Sequence, residues 1–435
     1  MSLNSYKFQK DFCDVKRANA SGQGANITKT FLIALSIYML ADSFLWNGFN
    51  SIIYPKGAKE LVPADQLALV MGTTAFVGVM IGTTTGIISG TISDRATFKM
   101  GRRRPFIIIG AVMAAASLML VRYAQDFTFL FIGFVLLQIS ENIATGAYFG
   151  LLPDLVPAEK TGLASGVISL FQFIGSLLGF VGVGYLVGTG NTDLAILCAS
   201  AVILGAMALT VFAIKEQPIA REDQNPRGEG IVESLRKLPK DLLVLTSSRF
   251  FALLGTNVLN FFSLYYVSDV LGAQNPEFLV AALGAAVLIV AMLSGIPAGL
   301  FSDRVGRKGL TILSCILGAV AMVVMASVSS VLGLIVAGSL LGACMGVFMT
   351  TSLAMSSDLS PPGMGGAAMG LSNLAMGGSQ AVSSGIAGLI LQLTRDIPGS
   401  GKGYRPVFLF AALCFVVSIA LVLRVKEKIQ QPKPQ

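Results

Sequence analysis

The chain has 435 residues, of which 54% are hydrophobic and 12% are charged, and its formal net charge is +8. The charged fraction is about half that of soluble domains, which excludes a water-soluble enzyme, a disordered chain and a disulfide-stapled secreted module. Histidine is absent and the five cysteines show no metal-binding spacing, so we expect neither a metal site nor a cofactor.

Continuous uncharged stretches, long enough to cross a hydrocarbon layer of ~30 Å, recur along the chain. They predict an all-α polytopic membrane protein in the lipid bilayer, because helices satisfy their own backbone hydrogen bonds. We place twelve helices near 30–54, 66–91, 105–123, 127–151, 163–187, 194–214, 241–267, 277–301, 309–326, 330–355, 367–393 and 405–424. The predicted units are a tail at 1–29, a six-helix bundle at 30–214, a linker at 215–240, a second six-helix bundle at 241–424 and a tail at 425–435.

Lysine and arginine indicate how the helices are oriented. An even number of helices places both termini on one side, and that side carries most of the 31 basic residues. By the positive-inside rule, both termini are predicted to be cytoplasmic in a multi-pass protein of the cell (plasma or inner) membrane. Since the basic residues lie in loops that report topology, we predict no nucleic-acid partner.

Three ionisable residues lie well inside the predicted helices: Asp42 in helix 1, Glu141 in helix 4 and Arg249 in helix 7. A charge at mid-bilayer costs ~2.5–3.5 kcal/mol, so an acid there is a functional candidate. Because burial disfavours the charged form of a carboxyl group, Glu141, followed by Asp42, is predicted to carry protons. The alternative for each acid is a hydrogen-bonded tie between helices. The alternative for Arg249 is that it snorkels to the cytoplasmic surface.

Amide and aromatic side chains accompany the acids at helical spacing. The predicted solute-binding residues are Trp46, Asn47, Asn50, Gln138, Asn142, Gln172, Asn257, Asn260, Asn373 and Gln380. Amides both donate and accept hydrogen bonds, and an indole can stack on the apolar face of a sugar, so the set suits a hydroxyl-rich small molecule. The alternative is a series of interhelical hydrogen bonds, each worth about 0.6 kcal/mol.

Two loop motifs occur once in each half of the chain. Gly-x-x-Ser-Asp-Arg, followed by Gly-Arg, occurs at 90–102 and at 299–307, and Asp-Leu-x-Pro occurs at 154–157 and at 358–361. An acid just beyond a helix end can pair with nearby guanidinium groups. The repeated motifs therefore predict a cytoplasmic gate formed by Asp94, Arg95, Arg102, Asp154, Asp303, Arg304, Arg307 and Asp358. For the run Arg102–Arg104, the alternative is a role in topology and in contact with anionic lipid head groups.

With these motifs the sequence resembles the major facilitator superfamily, whose loop 2–3 signature is Gly-x-x-x-Asp-Arg followed by Gly-Arg-Arg/Lys. The segments 93–107 and 152–157 are similar to the sucrose-transporter and glycoside–cation symporter branch. The resemblance implies twelve helices in two six-helix bundles and transport by alternating access. Melibiose-type members have sodium-binding carboxylates in span 2, but Leu67–Ser93 contains none, so protons are favoured over sodium. The span 5 arginine of plant sucrose carriers has no counterpart in Gly162–Thr192.

We therefore expect a monomeric secondary active transporter, not an enzyme, for a small polar solute. The expected solute is a sugar or glycoside, moved by alternating access and coupled to protons. One alternative is a drug or metabolite exporter of the same fold, which the 27 phenylalanines keep open. The other is a non-transporting membrane assembly factor, which would not need Asp42 or Glu141. Neither a Walker-type loop nor a nucleophile–base pair is present in the sequence.

Overall fold

A computed structural model describes residues 29–94, 96–156, 161–214, 238–258, 262–328, 330–360, 365–398 and 403–426. The regular structure in these ranges is helical. The first half contains α1 (Lys29–Leu61), α2 (Leu67–Asp94), α3 (Arg104–Arg122), α4 (Phe127–Tyr148), α5 (Thr161–Leu178, continued by Gly179–Val183 and Gly184–Gly188) and α6 (Thr192–Ala213). The second half contains α7 (Lys240–Asn257 and Ser263–Asp269), α8 (Pro276–Val305), α9 (Arg307–Ser327), α10 (Val331–Leu359), α11 (Gly365–Thr394) and α12 (Tyr404–Arg424).

The helices agree with the predicted all-α membrane fold. Eleven of those in the described ranges are long and apolar enough to cross a membrane. The twelfth is α7, which was predicted as one continuous span but ends at Asn257 and begins again at Ser263. We call the end of the bundle where α1 begins and α12 ends the near end, and the opposite end the far end.

Helices pack in the same pairs in both halves. In the first half α1 contacts α5 and α6, and in the second half α7 contacts α11 and α12. The pairs α2–α4, α3–α4 and α3–α6 likewise correspond to α8–α10, α9–α10 and α9–α12. Between the halves, α2 packs on α11 and α5 packs on α8, and each of these pairs becomes the other when the halves are exchanged. The packing thus follows the parallel repeat seen in the loop motifs.

Helices α1 and α5 approach each other very closely because α5 has glycine at the contact. A Cβ atom added to Gly175 would lie 2.1 Å from the backbone oxygen of Leu40, and one added to Gly179 would lie 2.4 Å from that of Phe44. Small residues allow this kind of backbone approach in membranes, where dispersion contacts rather than water exclusion drive helix association. The α1–α5 contact fixes the position of α1, which carries Asp42.

Replacing Gly175 by Ala is expected to lower the midpoint of thermal unfolding in detergent. The added methyl group meets backbone, so the helices must shift apart, and overpacking of this kind costs about 1–3 kcal/mol. Gly205→Ala on α6 is the matched control, because no atom lies within 4 Å of its added carbon and alanine favours a helix by about 1 kcal/mol. The control should keep or raise the midpoint, and equal losses in both variants would contradict the packing argument.

Candidate functional site

Acidic and tyrosine side chains of α1 and α4 form a buried cluster. Tyr38 and Glu141 are both 0% exposed, and the Tyr38 hydroxyl donates a hydrogen bond to Oε2 of Glu141 at 3.2 Å. Asp42, one turn after Tyr38, lies close enough to Glu141 for their charges to interact. The ring of Tyr148 lies 5.6 Å from that of Tyr38. The structure thus brings the two predicted proton carriers together, and it adds Tyr38, which the helical spacing before Asp42 could have indicated.

Each acid of this cluster keeps one oxygen without a partner. Oε1 of Glu141 and Oδ1 of Asp42 are buried and make no hydrogen bond within the described ranges. A buried carboxylate without a countercharge is strongly disfavoured, whereas a protonated carboxyl group is neutral and can donate a hydrogen bond. The described residues contain no group of three potential His, Cys, Asp or Glu metal ligands. The chemistry available to the cluster is the uptake and release of a proton.

A cavity of about 240 Å³ lies between the halves, farther along α1 towards the far end. Its polar groups come from both halves, with Asn47 and Ser51 on α1 and Thr256 and Asn257 on α7. Most of the remaining wall is apolar and includes Phe180 of α5, Leu283 of α8, Met325 of α9, and Leu341 and Met345 of α10. A concave, mostly apolar site with a few placed polar groups is typical of small-molecule binding.

Three helices depart from regular α geometry around this cavity. α1 contains a π-helical segment at Phe49–Ile53, α5 contains one at Gly179–Val183, and α7 is interrupted after Asn257. All three places contribute to the cavity wall. Helix interruptions inside a membrane are tolerated where the backbone is covered by protein or lines a cavity, and π-bulges are frequent at functional sites. The backbone therefore supports the cavity as a binding site independently of its side chains.

Two of the predicted solute-binding residues, Asn47 and Asn257, meet at the cavity. The Asn47 amide donates to Oγ of Ser176 on α5 at 2.9 Å, and it also caps the backbone oxygen of Ser43. The Asn257 amide donates to Oγ of Ser379 on α11 at 3.5 Å. These contacts hold both amides in place between helices.

The other predicted solute-binding residues lie elsewhere. Trp46 interacts with the Asp42 carboxyl group, and Asn50 is buried on α1 with its Oδ1 unpartnered within the described ranges. Further residues make helix contacts, namely Gln138 and Asn142 against α2 at Gly82, Gln172 with Met39, and the backbone of Gln380 with Ser384. Asn260 and the side chain of Asn373 fall outside what the structure describes. A role of these residues in solute binding stays a prediction.

The predicted gate residues form ion pairs at the near end. Asp154 accepts hydrogen bonds from Arg102 and from Nε of Arg103 (2.6 Å), and Nη2 of Arg103 donates to Asp94 at 2.6 Å. In the second half Arg307 donates to Asp358. The contacts named here tie α2, α3 and the α4–α5 connection within one half, and α9 to α10 within the other, so they do not bridge the halves. Arg95 and the side chains of Asp303 and Arg304 lie outside the described parts of the chain.

Arg103 is the residue of the near-end cluster that the sequence did not single out. Only 5% of it is exposed, and it joins Asp94 to Asp154 while also contacting Ser93. Burial by itself would raise the pKa of the Asp154 carboxyl, but the hydrogen bonds and charges of Arg102 and Arg103 outweigh it and hold that pKa below its usual value of 3.8. The middle arginine of the basic run is thus a structural tie.

Polar contacts join the two halves at the far end, and the motifs did not indicate them. Lys59 of α1 donates to Oδ1 of Asp269 at 3.0 Å and to Oγ of Ser268 at 2.8 Å. The Tyr265 hydroxyl donates to the backbone oxygen of Pro55 at 2.6 Å. We call the set the far-end contacts: Lys59–Asp269, Tyr265–Pro55, Lys56–Glu277 and Arg395–Ala64. Their cations belong to the minority of basic residues that lie away from the predicted cytoplasmic side, which was the available signal.

The backbones also meet on this side of the bundle. A Cβ atom added to Gly72 of α2 would lie 2.8 Å from Cα of Gly388 on α11. On the opposite edge, a Cβ atom added to Gly184 of α5 would lie 2.3 Å from that of Ala281 on α8. The far-end contacts therefore lie above two tight helix crossings, and the halves are closed on each other there.

Comparison with known proteins identifies the family of this architecture. The model of the Major Facilitator Superfamily matches residues 28–295 and 245–435. Sucrose transport protein SUC4 of Arabidopsis thaliana is 28% identical over 174 residues, which are 36% of this chain and 33% of that protein. The general alpha-glucoside permease of Schizosaccharomyces pombe is 26% identical over 277 residues, or 56% of this chain and 48% of that protein. The matched segments thus span less than half of these two relatives.

A third relative and two solved structures extend the comparison. Multidrug resistance protein MdtG of Escherichia coli is 26% identical over 263 residues, covering 60% of this chain and 62% of that protein. A bacterial homologue of the human lysosomal transporter Spinster, inward-facing and occupied, has a TM-score of 0.71 at 14% identity and covers 94% of this chain and 100% of its own. The nucleoside transporter NupG has a TM-score of 0.70 at 12% identity, with 91% and 100% covered. These likenesses confirm the predicted membrane fold.

Asp154→Asn is expected to lower the midpoint of thermal unfolding at neutral pH, because it replaces the carboxylate that pairs with the buried Arg103 guanidinium by a neutral amide. Since the folded-state pKa of Asp154 is lowered, its contribution is fully present above the unfolded value of 3.8 and is lost as the pH falls through the folded-state value. The difference in midpoint between parent and variant should therefore stay constant above about pH 3.8 and shrink as the pH falls below that value. Asp193→Asn removes the exposed pair with Arg122 and, as the control, should change little.

Lys59→Ala is expected to shift the protein towards a state that is open at the far end, because it removes a tie between the halves. An exposed pair of this kind is worth about 0.2–1 kcal/mol, which corresponds to a change of up to about fivefold in the ratio of two states. Spin labels at Glu60→Cys and Gln274→Cys, both at exposed far-end positions, would report this shift as a larger population of the longer label-to-label distance. Arg122→Ala, which breaks a far-end ion pair within one half, should leave the distances unchanged, and an equal shift there would contradict the assignment.

Proposed function

The chain belongs to the Major Facilitator Superfamily, and we propose that it imports a sugar or glycoside together with protons by alternating access. The family and the relatives are transporters, so the protein is a membrane transporter for a small molecule and not an enzyme. The solute, the coupling ion and the direction belong to the proposal. So do the monomeric state, the cell membrane as location and the cytoplasmic position of both termini.

Coupling to protons is supported above all by the buried cluster of Asp42 and Glu141. Each acid has an oxygen that no group in the described ranges partners, and a carboxyl group there is neutral only when protonated. A proton bound from one side and released to the other changes the charge that the closing halves must enclose. The sequence lacks histidine, so carboxyl groups are the proton carriers available near neutral pH.

A sugar-like solute is supported by the relatives and by the cavity. Two of the relatives are named for sucrose and for alpha-glucosides. Asn47 and Asn257 offer amide donors and acceptors from opposite halves of the cavity, and amides suit hydroxyl groups. A solute held by one amide from each half would favour the state in which both halves reach it. That differential contact is what a transported solute needs in order to shift the equilibrium between states.

The alternating-access part of the proposal rests on where the halves touch. The far-end contacts tie the two halves together, whereas the near-end ion pairs described above lie inside each half. With both termini in the cytoplasm, the far end faces outwards, and we assign the structure to an inward-facing state. Opening outwards then requires the far-end contacts and the α2–α11 and α5–α8 crossings to separate.

A drug or metabolite exporter is the second candidate, and the cavity wall favours it to some extent. Phe180, Leu283, Met325, Leu341 and Met345 make much of that wall apolar, and one relative is a multidrug resistance protein. The two candidates differ in solute and in the direction of coupled flux. Binding of sugars, and uptake driven by an inward proton gradient, would distinguish the importer from the exporter.

The test is uptake of labelled sucrose and a set of alpha-glucosides into proteoliposomes. An inward proton gradient should drive accumulation in the parent protein, and sugars that are carried should raise its thermal midpoint by mass action. Glu141→Gln should abolish accumulation against a gradient while leaving exchange of internal for external solute, because exchange needs no proton release. Glu60→Gln, which alters an exposed far-end acid, is the control and should behave like the parent.

Two outcomes would count against the proposal. Parent uptake that is indifferent to the proton gradient removes proton coupling. Unchanged accumulation in Glu141→Gln and in Asp42→Asn removes both acids as carriers. A parent protein that moves no solute at all favours the non-transporting alternative. Loss of exchange as well as accumulation in Glu141→Gln indicates the structural role of a helix tie.

A further inference from the structure

Arg249 on α7 is a buried cation that has no countercharge among the residues that the structure describes. Only 3% of the residue is exposed, so its side chain does not extend to the cytoplasmic surface as the snorkelling alternative would require. Its Nη1 donates to Oγ of Ser352 on α10 at 2.9 Å, and its Nε is buried without a partner in the ranges that the structure describes. A guanidinium group carries five N–H donors and a full charge, so one neutral hydroxyl leaves it poorly compensated.

The hydrogen bonds that join α7 to its neighbours on either side of Arg249 are made by hydroxyl and thiol groups. From α12, Ser418 bonds Ser248 and lies next to Cys315 of α9. From α11, Ser379 and Ser383 contact α7 at Asn257 and at Leu254. From α10 comes Ser352 itself. Each of these groups is neutral at physiological pH, because serine does not ionise and an unperturbed thiol titrates well above it. No ion pair joins Arg249 to an acid within the described ranges, and Asp358, the acid of α10, is paired with Arg307 at the near end.

The missing countercharge has a match in the other half. Under the repeat, the helix pair α7–α10 that holds Arg249 and Ser352 corresponds to the pair α1–α4 that holds Tyr38 and Glu141. Glu141 lies about 10 Å from the near end of α4, and Arg249 lies about 14 Å from the near end of α7, at 1.5 Å per residue. In the described part of the chain, the Asp42–Glu141 cluster thus has no cation beside it and Arg249 has no acid beside it, at similar depths on the near-end side.

We propose that Arg249 is the countercharge of the deprotonated Asp42–Glu141 pair in the state whose near end is closed. This inference rests on the proposed function. After the solute and the proton leave through the near end, the cluster carries a negative charge, and the empty protein returns by bringing the two halves together there. Arg249 then pairs with the carboxylate across the crevice, and the bond parts when a new proton is taken up. The only covalent change is the O–H bond of the carboxyl group, whose proton passes to and from water.

Arg249 is a positioning residue in this scheme, not a solute ligand. The α7 part of the cavity wall is formed by Thr256, Asn257 and Ser263, about two turns farther along the helix. The groups that face the acids are the Tyr38 hydroxyl and Trp46 indole of α1 and Tyr148 of α4. None of these is a cation, whereas Arg249 is a buried cation at similar depth in the opposite half.

Transport assays in proteoliposomes separate the return step from the loaded steps. Arg249→Gln should reduce net uptake about tenfold or more, since breaking a buried ion pair is severe. It should leave exchange within about twofold, because the carboxyl groups of the loaded protein are protonated and need no countercharge. Arg249→Lys keeps the charge and should keep much of the net uptake. Adding Glu141→Gln or Asp42→Asn to Arg249→Gln should restore net downhill uptake that no longer responds to protons. Arg122→Gln, at a partly exposed far-end arginine, is the matched control and should act like the parent.

A conformational measurement tests the pairing even if no solute is carried. With the spin labels at Glu60→Cys and Gln274→Cys and without solute, raising the pH should increase the far-end-open distance in the parent. The increase should vanish in Arg249→Gln and in the double variants. If this pattern holds while the parent shows no proton-driven uptake, the pairing stands and the proposed function fails. A pH response that survives in Arg249→Gln overturns the inference, as does a net uptake that neither double variant recovers.

Discussion

The cost of an uncompensated charge in a low-dielectric interior governs this molecule. Where the chain meets water, at the two ends of the bundle, charges are paired, with Asp154 between Arg102 and Arg103 at one end and Lys59 against Asp269 at the other. In the middle, Glu141 and Arg249 are buried without a partner of opposite charge among the described residues. Paired charges hold helices in one arrangement. An unpaired buried charge is stable only if it is neutralised by a proton or paired with a charge from another part of the protein, so the arrangement of the helices can change at these places.

Helix α1 links the two candidate centres. Asp42 and Asn47 are five positions apart, or about 7.5 Å along the axis, and Asn47 bonds back to the backbone of Ser43, the neighbour of Asp42. The π-helical segment Phe49–Ile53 follows directly. Its extra residue shifts the register of the side chains beyond it, and Ser51 within this segment lines the cavity together with Asn47. A solute in the cavity and a proton on the acid cluster therefore act on the same rigid segment, which is the physical requirement for coupling them.

Much of the helical architecture followed from the sequence, because lipid exposure demands long apolar segments and the repeat is written in short loop motifs. The meeting of Asp42 with Glu141 was also predictable, since an acid in a membrane helix has to face protein. Three features could not be predicted from the sequence: the interruption of α7, the two π-helical segments and the far-end contacts. They depend on how helices cross and which atoms then come within reach, and such long-range packing leaves no periodic trace along the chain. Arg103 was missed for a related reason, since three consecutive arginines look alike until folding buries the middle one.

The apolar wall of the cavity and its amides are compatible with one solute class. A pyranose carries hydroxyl groups around its rim and C–H groups on its faces, so it needs donors and acceptors at the edge and carbon surface above and below. Asn47 and Asn257 stand at the edge from opposite halves, while Met325, Leu341 and Met345 supply carbon surface. A flat hydrophobic drug offers neither donors nor acceptors, so it would gain none of the hydrogen bonds that a hydroxylated solute can make to these amides. Under the proposed function, the two amides therefore select the solute class, and the apolar wall sets how large an apolar group the solute can carry.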